Sequence, residues 1–149
     1  MAAFDVVSER LRNQRLVASR FKGPADVVTS LCAVQAQDYA GSLWGIAQRT
    51  ASATEADVER AISERTIVRT WPMRGTLHFV AADDVRWMLA LLTPRVIAAS
   101  AGRQRQLGLT PETFRQCRRL CRKLLAGGRT LVREDLLAAL GRGGVAMNP

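Results

Sequence analysis

The spacing of apolar residues changes from helical to strand-like near the middle of this chain. β-Branched and aromatic residues recur in the short segments 67–71 and 76–80, which predicts two β-strands. Pro72 and Gly75 lie between these segments and favour a tight turn over residues 72–75. A hairpin of this kind, set among helical segments, predicts a mainly α fold with a small β-hairpin.

Helical periodicity and helix-start residues account for most of the remaining sequence. Pro24 and Pro111 are typical of a first helical turn, Ser42 and Thr54 are typical N-caps, and Gly127 is typical of a helix end. The predicted helices cover residues 4–20, 24–34, 42–48, a fourth helix from Thr54, 81–100 with a break or kink at Pro94, 111–126 and 131–140. A basic loop is expected over residues 102–108, and the pattern divides the chain into residues 1–100 and 101–149.

The last predicted helix belongs to an incomplete helical unit. It carries Leu136, Leu137 and Leu140, and a lone helix cannot bury such an apolar side by itself. We therefore expect it to dock on the preceding domain, on another copy of the chain, or on a continuation. Self-association through this C-terminal helix is one expected outcome.

Gln35 and Gln37 are long polar side chains at the end of an apolar stretch. In a helix, residues i and i+2 point about 200° apart, whereas in an extended segment they share one side. Two interpretations stay open. The glutamines brace a helix-loop-helix junction, or the backbone leaves the helix near Gln35 and both amides serve one site. Gly41 and Ser42, typical of a loop and a new N-cap, are consistent with such an exit.

Composition excludes several classes of function. The chain has 149 residues, 48% of them apolar, which suits one domain of ordinary size or a small domain plus part of another. No apolar run approaches the roughly 20 residues of a membrane span, so we expect no membrane contact and a cytoplasmic location. Three cysteines, Cys32, Cys117 and Cys121, and the single His78 form no metal-ligand pattern. We expect no disulfide, no metal and no cofactor.

Most of the net charge of +9 lies in residues 95–123, which contain eight basic residues and one acidic residue. On the helix predicted from Pro111, a basic face is formed by Arg115, Arg118, Arg119 and Arg122, opposite an apolar stripe. Such a face fits the phosphates of a polyanion. A solvated face that keeps the protein in solution is the alternative interpretation.

Three segments of the chain form a recognisable combination. They are Gln35-Ala36-Gln37-Asp38, Ser42-Leu43-Trp44 and Arg69-Thr70-Trp71-Pro72-Met73-Arg74-Gly75-Thr76-Leu77-His78-Phe79-Val80. In these segments the chain resembles the tandem winged-helix DNA glycosylases of the AlkZ and YcaQ type, whose members are typically much longer. The resemblance implies several winged-helix units arranged around DNA. Here it implies one unit in residues 1–100 and the start of a second in residues 101–149.

The resemblance also implies a reaction and its site. The reaction is hydrolysis of the N-glycosidic bond of alkylated, cationic purines in duplex DNA, a base excision repair activity associated with the nucleoid. Gln35 and Gln37 match the catalytic Gln-x-Gln element, and Asp38 is a secondary catalytic candidate. The side chains expected to contact double-stranded DNA are Arg69, Arg74, His78, Arg103, Arg105, Arg115, Arg118 and Arg122. For His78, a role in tying the hairpin to the helices is the alternative.

Amides are unusual catalytic groups for this reaction. Cleavage passes through an oxocarbenium-like state that a carboxylate normally stabilises. An amide carbonyl can orient a water, and its dipole can stabilise positive charge, when alkylation has already made the base a cationic leaving group. Asp38 is the stronger base, but an extended backbone turns it away from the side shared by Gln35 and Gln37. No lysine lies near the motif to form a Schiff base, so we expect a monofunctional enzyme.

Three classes of function compete for this sequence. The first is the glycosylase. The second is a winged-helix DNA-binding protein without catalysis, in which a helix enters the major groove. Such a protein could be a regulator or an architectural protein, and a truncated inactive paralogue is a further alternative. The third is a helical interaction module whose basic face meets an acidic protein, with Trp44, Trp71 and Trp87 as core or interface anchors.

Overall fold

The computed structural model describes residues 5–17 and 21–145 of the chain. The helices in that part are α1 (Val6–Asn13), α2 (Pro24–Leu31), α3 (Tyr39–Ala47), α4 (Glu55–Ser63), α5 (Val85–Gln106), α6 (Pro111–Leu124) and α7 (Arg133–Arg142). The strands are β1 (Val34–Gln35), β2 (Ile67–Met73) and β3 (Thr76–Ala81). The prediction of a mainly α fold with a small β-hairpin is confirmed.

The segment from α2 to β3 has the order helix, strand, helix, helix, strand, strand. Its strands form one antiparallel sheet in the order β1-β3-β2, so the short β1 lies beside the second strand of the hairpin. Val34 pairs with Phe79, and Gln35 pairs with His78. Three helices followed by a hairpin, with a short strand between the first two helices, form a winged helix whose wing is β2 and β3.

The core of this unit joins the helices to the sheet. Val27 and Val28 of α2, Ile46 of α3 and Val58 of α4 are fully buried, as is Phe79 at the centre of the sheet. Burial of each such side chain contributes about 1.5–3 kcal/mol relative to its exposure to water. Because β3 is anchored by this core and β1 pairs with β3, the backbone at the end of β1 has a fixed place in the fold.

The hairpin turns at Arg74 and Gly75, which lie within the predicted turn segment 72–75, whereas Pro72 and Met73 still belong to β2. Both turn residues have positive φ, 52° and 69°, and Met73 pairs with Thr76 across the turn. A two-residue turn with positive φ at both positions matches the right-handed twist of the strands. Pro72 lies within β2, at the point where pairing with β3 is irregular, and an irregular ladder tolerates a residue without an N–H group.

Two helix ends in the first unit differ from the predictions. α1 covers Val6–Asn13 in place of residues 4–20, and the predicted positions 4 and 18–20 lie outside the described residues. α2 ends at Leu31, before the predicted end near residue 34, because Cys32 has a positive φ of 62°. The chain is then free to become extended.

α5 begins at Val85, later than the predicted start at residue 81, because Ala81 still belongs to β3. It continues to Gln106, so the basic loop predicted over residues 102–108 is wrong for most of its length, and Pro94 lies inside the helix. Gly108, with φ 66°, follows the helix end. The guanidinium groups of Arg103 and Arg105 are therefore carried by the last turn of a helix. None of the helices in the described residues is long and apolar enough to cross a membrane.

The described residues divide into two compact units, with the boundary between Val96 and Ile97. In the second unit α6 begins as predicted: Pro111 is in its first turn, and the Thr110 hydroxyl accepts a hydrogen bond from the Thr113 N–H at 3.2 Å. This N-cap fixes the start of the helix that carries the basic residues.

α7 packs against α6 within the second unit. Leu140 is buried, Leu136 and Leu137 are half-buried, and Gln116 Nε2 donates to the Gly143 carbonyl at 2.8 Å. The leucines of this helix thus have contacts within their own chain. Self-association through α7 stays a prediction, and these leucines no longer require it.

Candidate active site

Three consecutive features bring the two glutamines to the surface. α2 ends at Leu31, β1 pairs with β3 through Gln35, and the Ala36 N–H donates to the Leu77 carbonyl at 2.8 Å. The backbone is therefore extended from β1 through Ala36. Ala36 is fully buried, whereas Gln35 and Gln37 on either side of it are exposed. Side chains of an extended backbone point alternately to opposite sides, which accounts for this alternation of exposed and buried residues.

The two amides contact each other. Gln35 Nε2 donates a hydrogen bond to Gln37 Oε1, so the prediction that both side chains share one side is confirmed. Neither amide has a further partner among the described residues, and neither braces a helix end. The pair thus presents Gln35 Oε1 as an acceptor and Gln37 Nε2 as a donor. Each of these two groups can bond a water molecule.

The amide pair lines a cleft of about 500 Å³. β1 and the segment after it form one side of the cleft, and the first two turns of α3 form the other. Trp44 lines the cleft from α3 with 60% of its surface exposed. An exposed indole beside two amides offers a flat apolar face next to polar groups, which is the surface that a nucleobase needs.

Asp38 lies at the edge of the same cleft but has a structural partner. Its carboxylate accepts a hydrogen bond from the Gly41 N–H at 3.1 Å, and Asp38 is thereby the N-cap of α3. The prediction that Ser42 caps this helix is wrong, because Ser42 lies inside α3 and its hydroxyl donates to the Tyr39 carbonyl. To act as a base, the Asp38 carboxylate would have to lose or weaken its hydrogen bond with the Gly41 N–H.

Replacing Gly41 with Ala is expected to destabilise the protein by about 1 kcal/mol, the usual cost of a lost N-cap. A Cβ atom at this position would lie 2.3 Å from Asp38 Oδ2, so the carboxylate must move away from the helix end. Urea unfolding of the variant measures the change in the free energy of unfolding.

Gly45→Ala on the same helix is the matched control. Its Cβ would lie 3.8 Å from the Arg49 guanidinium, an ordinary contact, and Ala is favoured over Gly inside a helix. We expect Gly45→Ala to be neutral or stabilising. Equal stability of the two variants would show that the Asp38 cap contributes nothing.

Arg69 points back toward the glutamines and not away from the protein. Its Nε and Nη2 atoms donate to the Ala36 carbonyl at 3.0 and 2.7 Å. Its guanidinium carbon lies 5.3 Å from the centroid of the Tyr39 ring. The predicted role of Arg69 was a DNA contact, and this interaction could not be predicted because nothing in residue spacing links two positions 33 residues apart.

His78 and Arg74, both predicted to contact DNA, lie in different surroundings on the wing. His78 is only 3% exposed, and its Nδ1 lies 2.9 Å from the Thr76 carbonyl. This burial favours a structural role for the imidazole over contact with DNA, although the hydrogen bond lies within the hairpin and does not tie it to the helices. Arg74 is exposed at the turn between β2 and β3, where a guanidinium can reach a phosphate.

The second unit contains the remaining predicted DNA contacts. Arg118 and Arg122 are exposed on α6, as are Arg103 and Arg105 at the end of α5. Arg115 is also exposed, and it forms an ion pair with Glu112 at 2.5 Å. Exposed ion pairs of this kind contribute little, roughly 0–1 kcal/mol, so Arg115 can exchange Glu112 for a phosphate at small cost.

The cysteines and acidic residues do not assemble into a metal centre. Within residues 5–17 and 21–145, no group of three or more His, Cys, Asp or Glu side chains lies close enough to hold a metal ion. Cys32 is exposed, Cys117 and Cys121 are half-buried, and all three are free thiols.

Comparison with known proteins shows which class of protein has this fold. The model of the AlkZ-like DNA glycosylase family matches residues 28–148, and the chain belongs to this family. The interstrand DNA cross-link repair glycosylase of Streptomyces sahachiroi is 29% identical over 137 residues, which are 91% of this chain and 36% of that protein.

A solved structure supports the same relationship. Streptomyces sahachiroi DNA glycosylase AlkZ superimposes with a TM-score of 0.63 at 27% identity, over 91% of this chain and 40% of the other. The winged-helix fold class is thereby confirmed. The chain spans less than half the length of these relatives.

Proposed function

We propose that this chain acts as a DNA repair glycosylase on alkylated, cationic purines in duplex DNA. In this proposal Gln35 and Gln37 position a water and stabilise the sugar cation. The observation that carries the proposal is the pair of exposed amides, hydrogen-bonded to each other at an open cleft, in a member of a DNA glycosylase family. The protein would then act in base excision repair of alkylation damage in the cytoplasm, at the nucleoid.

In the proposed reaction the catalytic groups have to position a water and stabilise the sugar cation, and they do not have to protonate the leaving base. The bond between C1′ and the base breaks, and its electron pair leaves with the alkylated base, which departs as a neutral molecule. Gln35 Oε1 accepts a hydrogen bond from the attacking water and aims its oxygen at C1′. The water forms the new C1′–O bond and releases its proton to solvent, since an amide cannot hold it. The amide dipoles act on the sugar cation while it exists.

Trp44 complements a cationic base. An indole face attracts a cation within about 6 Å of its centroid, with a gain of roughly 0.5–1 kcal/mol at exposed sites. The indole lines the cleft that the amides line. Lys22 and Lys123, the only lysines of the chain, do not line this cleft, which supports a monofunctional mechanism without a Schiff base.

The non-catalytic DNA-binding alternative fits this unit poorly. In a winged helix the third helix enters the major groove, and here that helix is α4. α4 carries Glu55, Asp57 and Glu59 against a single basic residue, Arg60. Hydrogen bonds from Thr54 lower the pKa of Asp57 below its usual value, so it is ionised at neutral pH. A helix with this charge repels phosphates.

Release of free base from a duplex that contains one N7-methylguanine tests the proposal. We expect release above the spontaneous rate with the natural product of the gene, and none from duplexes with uracil or undamaged guanine, because only the cationic base leaves easily. A parallel measurement on residues 1–149 shows how much of the activity this chain supplies. If the gene product releases no base, the non-catalytic binding protein becomes the better interpretation.

A further inference from the structure

We propose that Arg69 is a positioning residue that holds Gln35 and Gln37 in the arrangement the reaction needs. The proposal rests on the function proposed above, and it concerns the peptide that links the two glutamines. Both hydrogen bonds from Arg69 go to the carbonyl of Ala36, the residue between them. Fixing this carbonyl fixes the peptide plane from which Gln37 projects.

The sheet alone does not hold this peptide. β1 has only two residues, and it lies at the edge of the sheet. Strand pairing ends with Gln35 opposite His78, followed by a single bond from the Ala36 N–H to Leu77. The Ala36 carbonyl lies beyond that pairing, and the guanidinium of Arg69 supplies its hydrogen-bond donors. Without them the chain from Ala36 to the start of α3 would be attached only at its ends.

Arg69 is itself held by the Tyr39 ring and by strand pairing with a core residue. It lies opposite Phe79 in the pairing of β2 with β3, and Phe79 is fully buried. Its guanidinium lies over the ring of Tyr39, the first residue of α3, and that ring lies 6.1 Å from the Phe79 ring. One side chain thus connects the hairpin, the glutamine segment and the helix that carries Trp44. These are the parts that line the cleft or adjoin it.

Only arginine can make this set of contacts. Its planar fork donates two hydrogen bonds to one oxygen while its flat face lies on an aromatic ring. A lysine ammonium is a compact charge that cannot form both bonds in one plane and also stack. The interaction also commits the guanidinium to the protein. In this proposal Arg69, although exposed, acts through Gln35 and Gln37 and not through DNA phosphates.

Single-turnover excision from N7-methylguanine DNA at saturating enzyme tests the role of Arg69. We expect Arg69→Ala to lower the rate about tenfold to a hundredfold, the effect of misplacing a catalytic group by about 1 Å. The Kd for DNA and its salt dependence should stay within about twofold of wild type, since no phosphate contact is lost. Arg69→Lys should not restore the rate, whereas free guanidinium added to the Arg69→Ala variant at constant ionic strength should raise it.

Arg86→Ala is the matched control. Arg86 is exposed near the start of α5 and does not line the cleft. Its loss removes the same charge from the same unit, and we expect the wild-type excision rate. If Arg69→Ala does not unfold cooperatively, Arg69→Lys, which keeps the aliphatic stem and the charge, takes its place in the comparisons of rate, Kd and amide signals.

Proton–nitrogen correlation spectra of the glutamine side chains give a readout that needs no activity. In the wild-type protein we expect distinct signals for the amides of Gln35 and Gln37, and in Arg69→Ala a collapse toward the signals of free glutamine. Collapse of these signals supports positioning even if the wild-type protein releases no base, in which case the proposed function alone fails. Unchanged amide signals, or a loss of salt dependence like that of a phosphate contact, would overturn the proposal.

Discussion

Replacing Gln35 or Gln37 with Ala is expected to lower the single-turnover excision rate by about ten- to a thousandfold, with little change in the Kd for duplex DNA. In the proposed mechanism, each amide acts on the attacking water and on the sugar cation, and that cation exists only at or near the transition state. Excision from DNA with one N7-methylguanine gives the rate, and a binding titration with the same DNA gives the Kd.

The double variant is more informative than either single one. Because the two amides are hydrogen-bonded to each other, the first substitution already disturbs the second group. We expect the loss in the double variant to be close to the larger single loss, and not to their product. Gln48→Ala, at the end of α3 and outside the cleft, is the control and should keep the wild-type rate. Wild-type rates in the Gln35 and Gln37 variants would remove both amides from the mechanism.

The openness of the cleft is the reason why, in the proposed reaction, we expect excision to depend on the charge of the lesion. The cleft is open to water, and both glutamines and Trp44 are exposed. Electrostatic stabilisation by dipoles is weak where water screens it and strong only in a site that excludes water. An exposed amide pair can therefore complete the departure of a base that already leaves easily, whereas a neutral base would need an enclosed site or a charged catalyst.

The sequence was sufficient to predict those parts of the structure that depend on local periodicity. The strands on either side of Gly75 follow from spacing, and so does the start of α6 at Pro111. The side-by-side glutamines follow from the period of an extended chain. The centre of the hairpin turn could not be predicted from the sequence. Pro72 is a common turn residue, and arginine is not a residue type that indicates the positive φ found at Arg74.

The sequence was insufficient where two candidates competed or where contacts are distant. Asp38 and Ser42 are both good N-caps, and the choice between them depends on which N–H groups lie in reach. β1 has two residues, too few for a period to be visible. The bond between Arg69 and Ala36 joins β2 to the residue after β1, and these strands lie at opposite edges of the sheet, so the bond exists only once the sheet has formed.

Replacing Arg115, Arg118 and Arg122 together with Ala is expected to weaken duplex binding tenfold or more and to flatten its salt dependence. Each phosphate contact contributes about 0.9 to the slope of log K against log salt concentration, so loss of three contacts should reduce the slope by roughly 2–3. Like charges three and four residues apart repel each other on a helix, and phosphates relieve this repulsion. Binding titrations at several salt concentrations give the slope.

A triple variant of Arg10, Arg12 and Arg86 separates a local contact from the effect of net charge. These arginines are exposed in the first unit, and their loss removes the same three charges. If α6 contacts the DNA backbone, only the α6 variant should show a reduced slope of log K against log salt concentration. The reason is that counterions are released only where an arginine side chain lies next to a phosphate. Equal losses in both triple variants would mean that overall charge alone attracts DNA. An unchanged slope in the α6 variant would exclude α6 from the binding surface, and the phosphate contacts would then have to come from groups such as Arg74 on the wing.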